Sequence, residues 1–189
     1  PLEAASIGYE MADDDLALRC NLIIMEDGKI VTHNGGNLQT ADARLLIDYL
    51  NEQLAAPVNR EQGCQRVRFI AGIQYRHLLI IKGGSKHIDC APPHDHPGEP
   101  WQPLLVKEAP SCPEDAGRLT PQATADLLNT LILRSQELLP RHPYNQAKAA
   151  RGERQANSIW PWSGGYRPSM QTLMAQYPQV RSGAVISAV

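Results

Sequence analysis

From Leu16 to Ile24 the chain alternates: Leu16, Leu18, Cys20, Leu22 and Ile24 fall on one side, Ala17, Arg19, Asn21 and Ile23 on the other. A period of two is that of a β-strand with one face turned to a core. It leaves Arg19 and Asn21 together on the opposite face. Asp27-Gly28 is a hairpin signal leading into a second strand, Lys29 to His33. After the loop Asn34-Gly35-Gly36 the period becomes helical. Thr40 is placed to cap, Asp42 lies in the first turn, and Ala43, Leu46, Ile47, Leu50 and Leu54 form one stripe, which predicts a helix from Ala41 to about Ala55. A polar linker from Pro57 to Gln65 follows. Strands Val67 to Ala71 and Tyr75 to Lys82 read as a second hairpin, with Arg76, Leu78, Ile80 and Lys82 sharing a face.

Gly83 to about Leu119 holds seven of the fifteen prolines, which predicts a long ordered loop with one short strand near Leu104 to Lys107. Long loops inside compact domains are often functional. Thr120-Pro121 supplies an N-cap and a proline at the first helical position. The helix it opens runs to about Leu139, burying Leu127, Leu128, Leu131, Ile132, Leu138 and Leu139, and Pro140 and Pro143 end it. A shorter helix spans Tyr144 to Arg151 and stops at Gly152. Asn157 to Trp162 reads as a strand, Ser169 to Tyr177 as a short helix and Gly183 to Val189 as a buried strand. The expected architecture is α+β: a mixed, mostly antiparallel sheet with two long helices packed on one face.

A length of 189 residues suits one domain spanning residues 1–189, with a real hydrophobic core. No apolar run approaches the roughly 20 residues that span a bilayer, and no basic targeting arm is present, so no membrane partner and a cytoplasmic location are expected. A net charge of −2 argues against a nucleic-acid partner. Cys20, Cys64, Cys90 and Cys112 are scattered, which predicts free thiols and no zinc site. Charge is uneven along the chain: Glu3, Glu10, Asp13, Asp14 and Asp15 make the start acidic, and beyond Glu153 no acidic residue occurs while Arg154, Arg167 and Arg181 remain. Such a chain can present a positive concavity to a small phosphorylated ligand. It begins without Met in a helix-like stretch and stops inside a strand-like apolar one, which predicts an excised domain.

Four places could carry chemistry. Arg19 and Asn21, one pleat apart, could grip carboxylate or phosphate oxygens, although an edge-strand charge facing solvent would leave the same pattern. Arg76-His77 opens a strand otherwise apolar, and a partly buried arginine there needs an anionic partner. KHIDCAPPHDHPGE brings together His87, Asp89, Cys90, His94, Asp95 and His96, but its prolines prevent the helix that would align metal ligands. His142 to Trp162 groups Arg141, Lys148, Arg151 and Arg154 around Glu153 ahead of an aromatic strand, either as an anion site or as a solvated helix face.

Taken in order, DLALRCNLII (15–24), YRHLLII (75–81), APPHD (91–95), HPYNQAKAARGERQANSIWPW (142–162) and GAVISAV (183–189) resemble the cofactor-independent phosphoglycerate mutases of the archaeal type, including a bacterial branch also labelled homoserine kinase. The resemblance covers essentially the whole chain, and the order of the motifs is more specific than any one of them. It implies that the chain is a substrate-covering lid inserted into a larger alkaline-phosphatase-like metalloenzyme, which interconverts 3-phosphoglycerate and 2-phosphoglycerate in glycolysis. The phosphorylated nucleophile and two divalent metal ions (Mn, Zn or Mg) would belong to a missing catalytic core, the lid's partner together with phosphoglycerate. This fragment would hold no catalytic residue and no metal, and would be inactive alone. Substrate-binding roles are implied for Arg19 and Asn21 in the RCN element, Arg76 in YRH, His94 and Asp95 in APPHD, and Lys148, Arg151 and Asn157 in the last segment. Lys148 stands where arginine is usual, which limits it to a point-charge contact. The stretch His33 to Asn37 departs from the family and inherits no role. Two other readings remain: a phosphotransferase acting on a small hydroxyl substrate such as homoserine, and a non-catalytic anion-binding domain.

Overall fold

One long strand organises the molecule. The computed structural model describes residues 2–110, 116–168, 177 and 179. In chain order its elements are α1 (Leu2–Ser6), β1 (Asp15–Glu26), β2 (Lys29–Thr32), α2 (Thr40–Leu50) continued by α3 (Ala56–Glu61), β3 (Val67–Ile70), β4 (Arg76–Lys82), β5 (Ile88–Asp89), β6 (Lys107–Glu108), α4 (Pro121–Leu138), α5 (Pro143–Ala150) and β7 (Ser158–Gly165). The strand order is β2-β1-β4-β3, with β7 also paired to β1, and every pairing is antiparallel. The short helix expected from Ser169, the strand expected from Gly183 and Cys112 lie outside the described residues. Cys20, Cys64 and Cys90 are free thiols.

The alternation along β1 divides its faces as expected as far as Leu22; beyond it Ile23 and Met25, not Ile24, join the core layer, next to the register shift between Ile24 and Met25. Leu16, Leu18, Cys20 and Leu22 pack with Phe69, Leu79 and Ile81 against Leu46, Leu50 and Leu54 of the first long helix and Leu128, Leu131 and Ile132 of α4. The two long helices therefore share one face of the sheet. Each fully buried leucine contributes about 1.5–3 kcal/mol, so this layer carries most of the stability. The opposite face is not left to solvent. Ala17, Leu78 and Ile80 are covered by Ala4 and Met11 of the N-terminal segment.

Three local expectations are corrected. The supposed linker from Pro57 is helical to Glu61, because α2 passes through a π-helical turn, Asn51–Ala55, into α3. Proline lacks an N–H and crowds the carbonyl four residues earlier. A widened turn, in which the Ala56 N–H reaches the Asn51 carbonyl, lets the helix absorb it. Thr40 does not cap α2; its hydroxyl accepts from the Gln74 N–H at 3.1 Å and ties the helix start to the β3–β4 turn. The strand expected at Leu104 to Lys107 is instead a 3₁₀ turn, Gln102–Leu104, followed by β6, which pairs with β5. Pro103 cannot donate to a ladder. Thr120 does cap α4, accepting from the Ala123 N–H at 3.1 Å.

The helix that continues past Pro57 closes the edge of the sheet. Asn51 accepts from the Phe69 N–H and donates to the Phe69 carbonyl, both at 2.9 Å. Two turns on, Asn59 does the same to Val67, at 2.8 and 2.9 Å. Each amide stands in for a neighbouring strand along β3, which would otherwise be an open edge. Asn59→Ala leaves buried backbone groups unbonded and should destabilise the fold by about 2–3 kcal/mol, read as a lower urea midpoint at unchanged slope. A loss below about 0.5 kcal/mol would show that water replaces the amide.

Candidate functional site

The register of β1 with β4 sets Asn21 opposite Arg76 and Arg19 opposite Leu78. The two arginines thus rise from diagonal positions on one face, with Cβ atoms about 7 Å apart. On the other edge of β1, Trp162 of β7 lies opposite Arg19, and the Arg19 guanidinium sits 4.8 Å from the centre of the indole. Beyond the reach of the N-terminal cover, this face opens into a cleft of about 640 Å³. Arg19, Asn21 and Arg76 line it with His33, His94 and Trp162, and Glu3, Ser6 and Ile7 close one side.

The wall is held by a short relay. The Trp162 indole N–H donates to Asn21 Oδ1 at 3.1 Å, and Asn21 Nδ2 donates to the His33 carbonyl at 3.0 Å. Asn21 is nearly fully buried, so its amide fixes the wall that it lines. His33 packs edge-on against Tyr75 and His94, at 5.8 and 6.0 Å between ring centres, and His94 meets Trp162 at 5.1 Å. The proline-rich loop carrying His94 is anchored by buried Trp160, whose indole N–H donates to the Ala91 carbonyl at 2.8 Å.

Charge in the cleft is mostly positive. Arg76 lies 4.8 Å over the Tyr75 ring and has no carboxylate partner among the described residues. Burial, then the fields of His94 and Arg76, lower the His33 pKa. Among the described residues the only acidic one lining the cleft is Glu3, whose Oε1 accepts from Arg19 Nε at 2.6 Å and from Nη2. Burial works to raise the Glu3 pKa, but a backbone hydrogen bond and Arg19 outweigh it and hold the carboxyl below its usual range.

The cleft therefore gathers Arg19, Asn21, Arg76 and His94 of the expected residues. Lys148, Arg151, Asn157 and Asp95, also expected to bind substrate, do not line it. Lys148 and Arg151 close instead on Glu153, at 3.2 and 2.5 Å, and these two contacts, Arg151 first, hold the Glu153 carboxyl at about 2. Arg154 pairs with Glu26 at 3.1 Å. Asn157 accepts from the Met25 N–H at 2.8 Å and donates to its carbonyl at 2.7 Å. Asp95 is exposed, 3.6 Å from His94 Nε2. Three residues of the cleft had no signal in the sequence reading. His33 sits in the stretch set aside as a departure, Trp162 gains its place only through pairing with β1, and Glu3 was one charge in an acidic run.

Residues 1–145 match the family described as 2,3-bisphosphoglycerate-independent phosphoglycerate mutase. A curated relative of that name from Methanosarcina acetivorans is 37% identical over 190 residues, which take in 100% of this chain and 42% of the relative. The 2,3-bisphosphoglycerate-independent phosphoglycerate mutase 2 of Methanothermobacter thermautotrophicus is 41% identical over 190 residues, again 100% of this chain and 41% of its own. The chain thus spans about two fifths of the length of these relatives. Among solved structures, a cofactor-independent phosphoglycerate mutase from Thermoplasma acidophilum superposes with a TM-score of 0.66 at 20% identity, covering 93% of this chain and 43% of the other, a likeness of fold.

Beside Arg76, His77 gives a test of the cleft floor. Its Nδ1 accepts from the Gly72 N–H at 3.1 Å, its Nε2 is buried without a partner, and burial pushes its pKa down to about 3. In the unfolded chain it titrates near about 6.5. Between those values the unfolded chain binds a proton that the folded chain does not, so stability falls as pH drops from about 6.5 toward 3. His33 and His142, both lowered by burial, act in the same direction. The urea midpoint should fall from about pH 7.5 to about pH 5, and His77→Gln should flatten that slope. An unchanged slope in the variant would mean that His77 is not held neutral.

Proposed function

Because this chain belongs to the 2,3-bisphosphoglycerate-independent phosphoglycerate mutase family, we propose that it is the substrate-covering lid inserted into the catalytic core of a phosphoglycerate mutase. The observation that carries the reading is the pair of strand-borne arginines, Arg19 and Arg76, on one rigid face of an aromatic-walled cleft. The volume, about 640 Å³, suits a small organic ligand. A guanidinium fork binds carboxylate or phosphate oxygens with both charge and direction. Two such forks at diagonal positions match a three-carbon acid that carries a carboxylate at one end and a phosphoryl group further along.

In this reading the lid grips both anionic ends of 3-phosphoglycerate and 2-phosphoglycerate while the phosphoryl group moves between the hydroxyls. Closing over the substrate keeps out water that would otherwise hydrolyse a phosphorylated intermediate. The nucleophile and two divalent ions would be supplied by the core, where the ions would polarise the phosphoryl oxygens. Among the described residues no group of three or more His, Cys, Asp or Glu side chains could hold a metal ion. In this reading the chain's own contribution is binding, orientation and exclusion of water. The protein would act in glycolysis and in the cytoplasm. No helix among the described residues is long and apolar enough to cross a membrane. Neither relative described above is named as a kinase, and no feature of the cleft favours the phosphotransferase reading.

The reading is tested in the full-length protein with an enolase-coupled assay of 3-phosphoglycerate. Arg19→Ala and Arg76→Ala should each lower kcat/KM by roughly 100-fold, about 3 kcal/mol of transition-state stabilisation, with the unfolding midpoint little changed. Lys148→Ala, which breaks only the Glu153 contact seen here, should cost about tenfold less than either. Turnover of homoserine and ATP with none of 3-phosphoglycerate would overturn the reading. So would activity per folded molecule that survives loss of either arginine.

A further inference from the structure

The two arginines of the cleft are not equivalent. Arg76 has an aromatic ring beneath it and no carboxylate beside it among the described residues. Arg19 is already occupied: its Nε and Nη2 both donate to Glu3 Oε1. The pair is neither solvated nor sealed, with side chains 33% and 28% exposed at the cleft wall. Among the described residues, Glu3 is also the only acidic one lining the cleft. It reaches Arg19 from α1, a single turn of helix held by Ala4 against Ala17 and Leu78 and closed by the Ile7, Gly8 and Tyr9 amides bonding back to Glu3, Ala5 and Ala4.

A guanidinium that binds an internal carboxylate in this way presents the geometry for an external one. We propose that Arg19 is the carboxylate seat of the cleft, and that Glu3 is its resident occupant, displaced when a ligand carboxylate binds. The inference rests on the phosphoglycerate reading and adds the ligand's orientation to it. The exchange is carboxylate for carboxylate, so Arg19 keeps a partner at every stage and the net cost is the release of α1. The phosphoryl group is then left to Arg76, with His33 and His94 beside it. A resident occupant also lowers apparent affinity, since only molecules with Glu3 withdrawn can bind.

The test uses the full-length protein and 3-phosphoglycerate. Glu3→Gln removes the competing charge and should lower KM by about tenfold. In the unmodified protein, saturating 3-phosphoglycerate should speed hydrogen exchange at the Ile7, Gly8 and Tyr9 amides as Glu3 lets go. A KM that is unchanged or raised in Glu3→Gln, while Arg19→Ala still abolishes affinity, would overturn the inference alone: Glu3 would then be a support that aims Arg19. Slower exchange in α1 on adding ligand would overturn it too, whether or not the variant folds. If Arg19→Ala leaves KM untouched, the cleft reading itself fails, and this inference with it.

Discussion

Every main-chain N–H and C=O along both edges of β1 needs a partner, and the rest of the molecule is arranged to supply them. Such groups cannot be left bare inside a protein. One edge is met by β4, in register from Asp15 to Asn21. β2 takes over that edge from Ile24, and the other edge is met by β7 as far as Ile23. Beyond Ile23 that second edge has no paired strand to meet Met25 among the described residues. Asn157 fills that gap, its side-chain amide bonding the Met25 N–H and carbonyl together. An amide is donor and acceptor at once, so one residue satisfies both main-chain groups. The same device recurs where Asn51 meets Phe69, Asn59 meets Val67 and Asn129 meets Val106.

Because β1 is held on both sides, the side chains that it points away from the core stand on a rigid platform. Arg19 and Asn21 depend on that platform, and β4 and β7 bring Arg76 and Trp162 beside them. Rigid strands place functional groups more precisely than loops do. The one loop that contributes, carrying His94, is itself fastened through Trp160. The apolar face decides stability, and the opposite face decides what can bind.

Much of this was legible from periodicity. The β1 alternation as far as Leu22, the Asp27-Gly28 turn, with φ of 50° and 74°, and the Thr120-Pro121 helix start depend on neighbours in sequence, and all appear. What could not be read depends on neighbours in space. Pro57 marks a break by any local rule, yet packing of Leu54 and Val58 in the core holds the helix together through a widened turn. The basic segment after His142 advertised its charges, but not their fate. Gly152, at φ 71°, ends α5 so that the Glu153 N–H returns to the Lys148 carbonyl, and the same turn brings the Glu153 carboxylate onto Lys148 and Arg151. Asn157 read as a ligand for the same reason: a polar residue beside an aromatic strand does not announce that the main chain of Met25 awaits it.

The central claim is that anions bind at the Arg19–Arg76 face and not at the Lys148–Arg154 segment. Arginine Nε–Hε resonances separate the two places directly. In a titration of the full-length protein with 3-phosphoglycerate, the signals of Arg19 and Arg76 should move together along one saturation curve, while those of Arg151 and Arg154 stay in place. Movement of Arg151 and Arg154 with Arg19 and Arg76 unmoved would contradict the account.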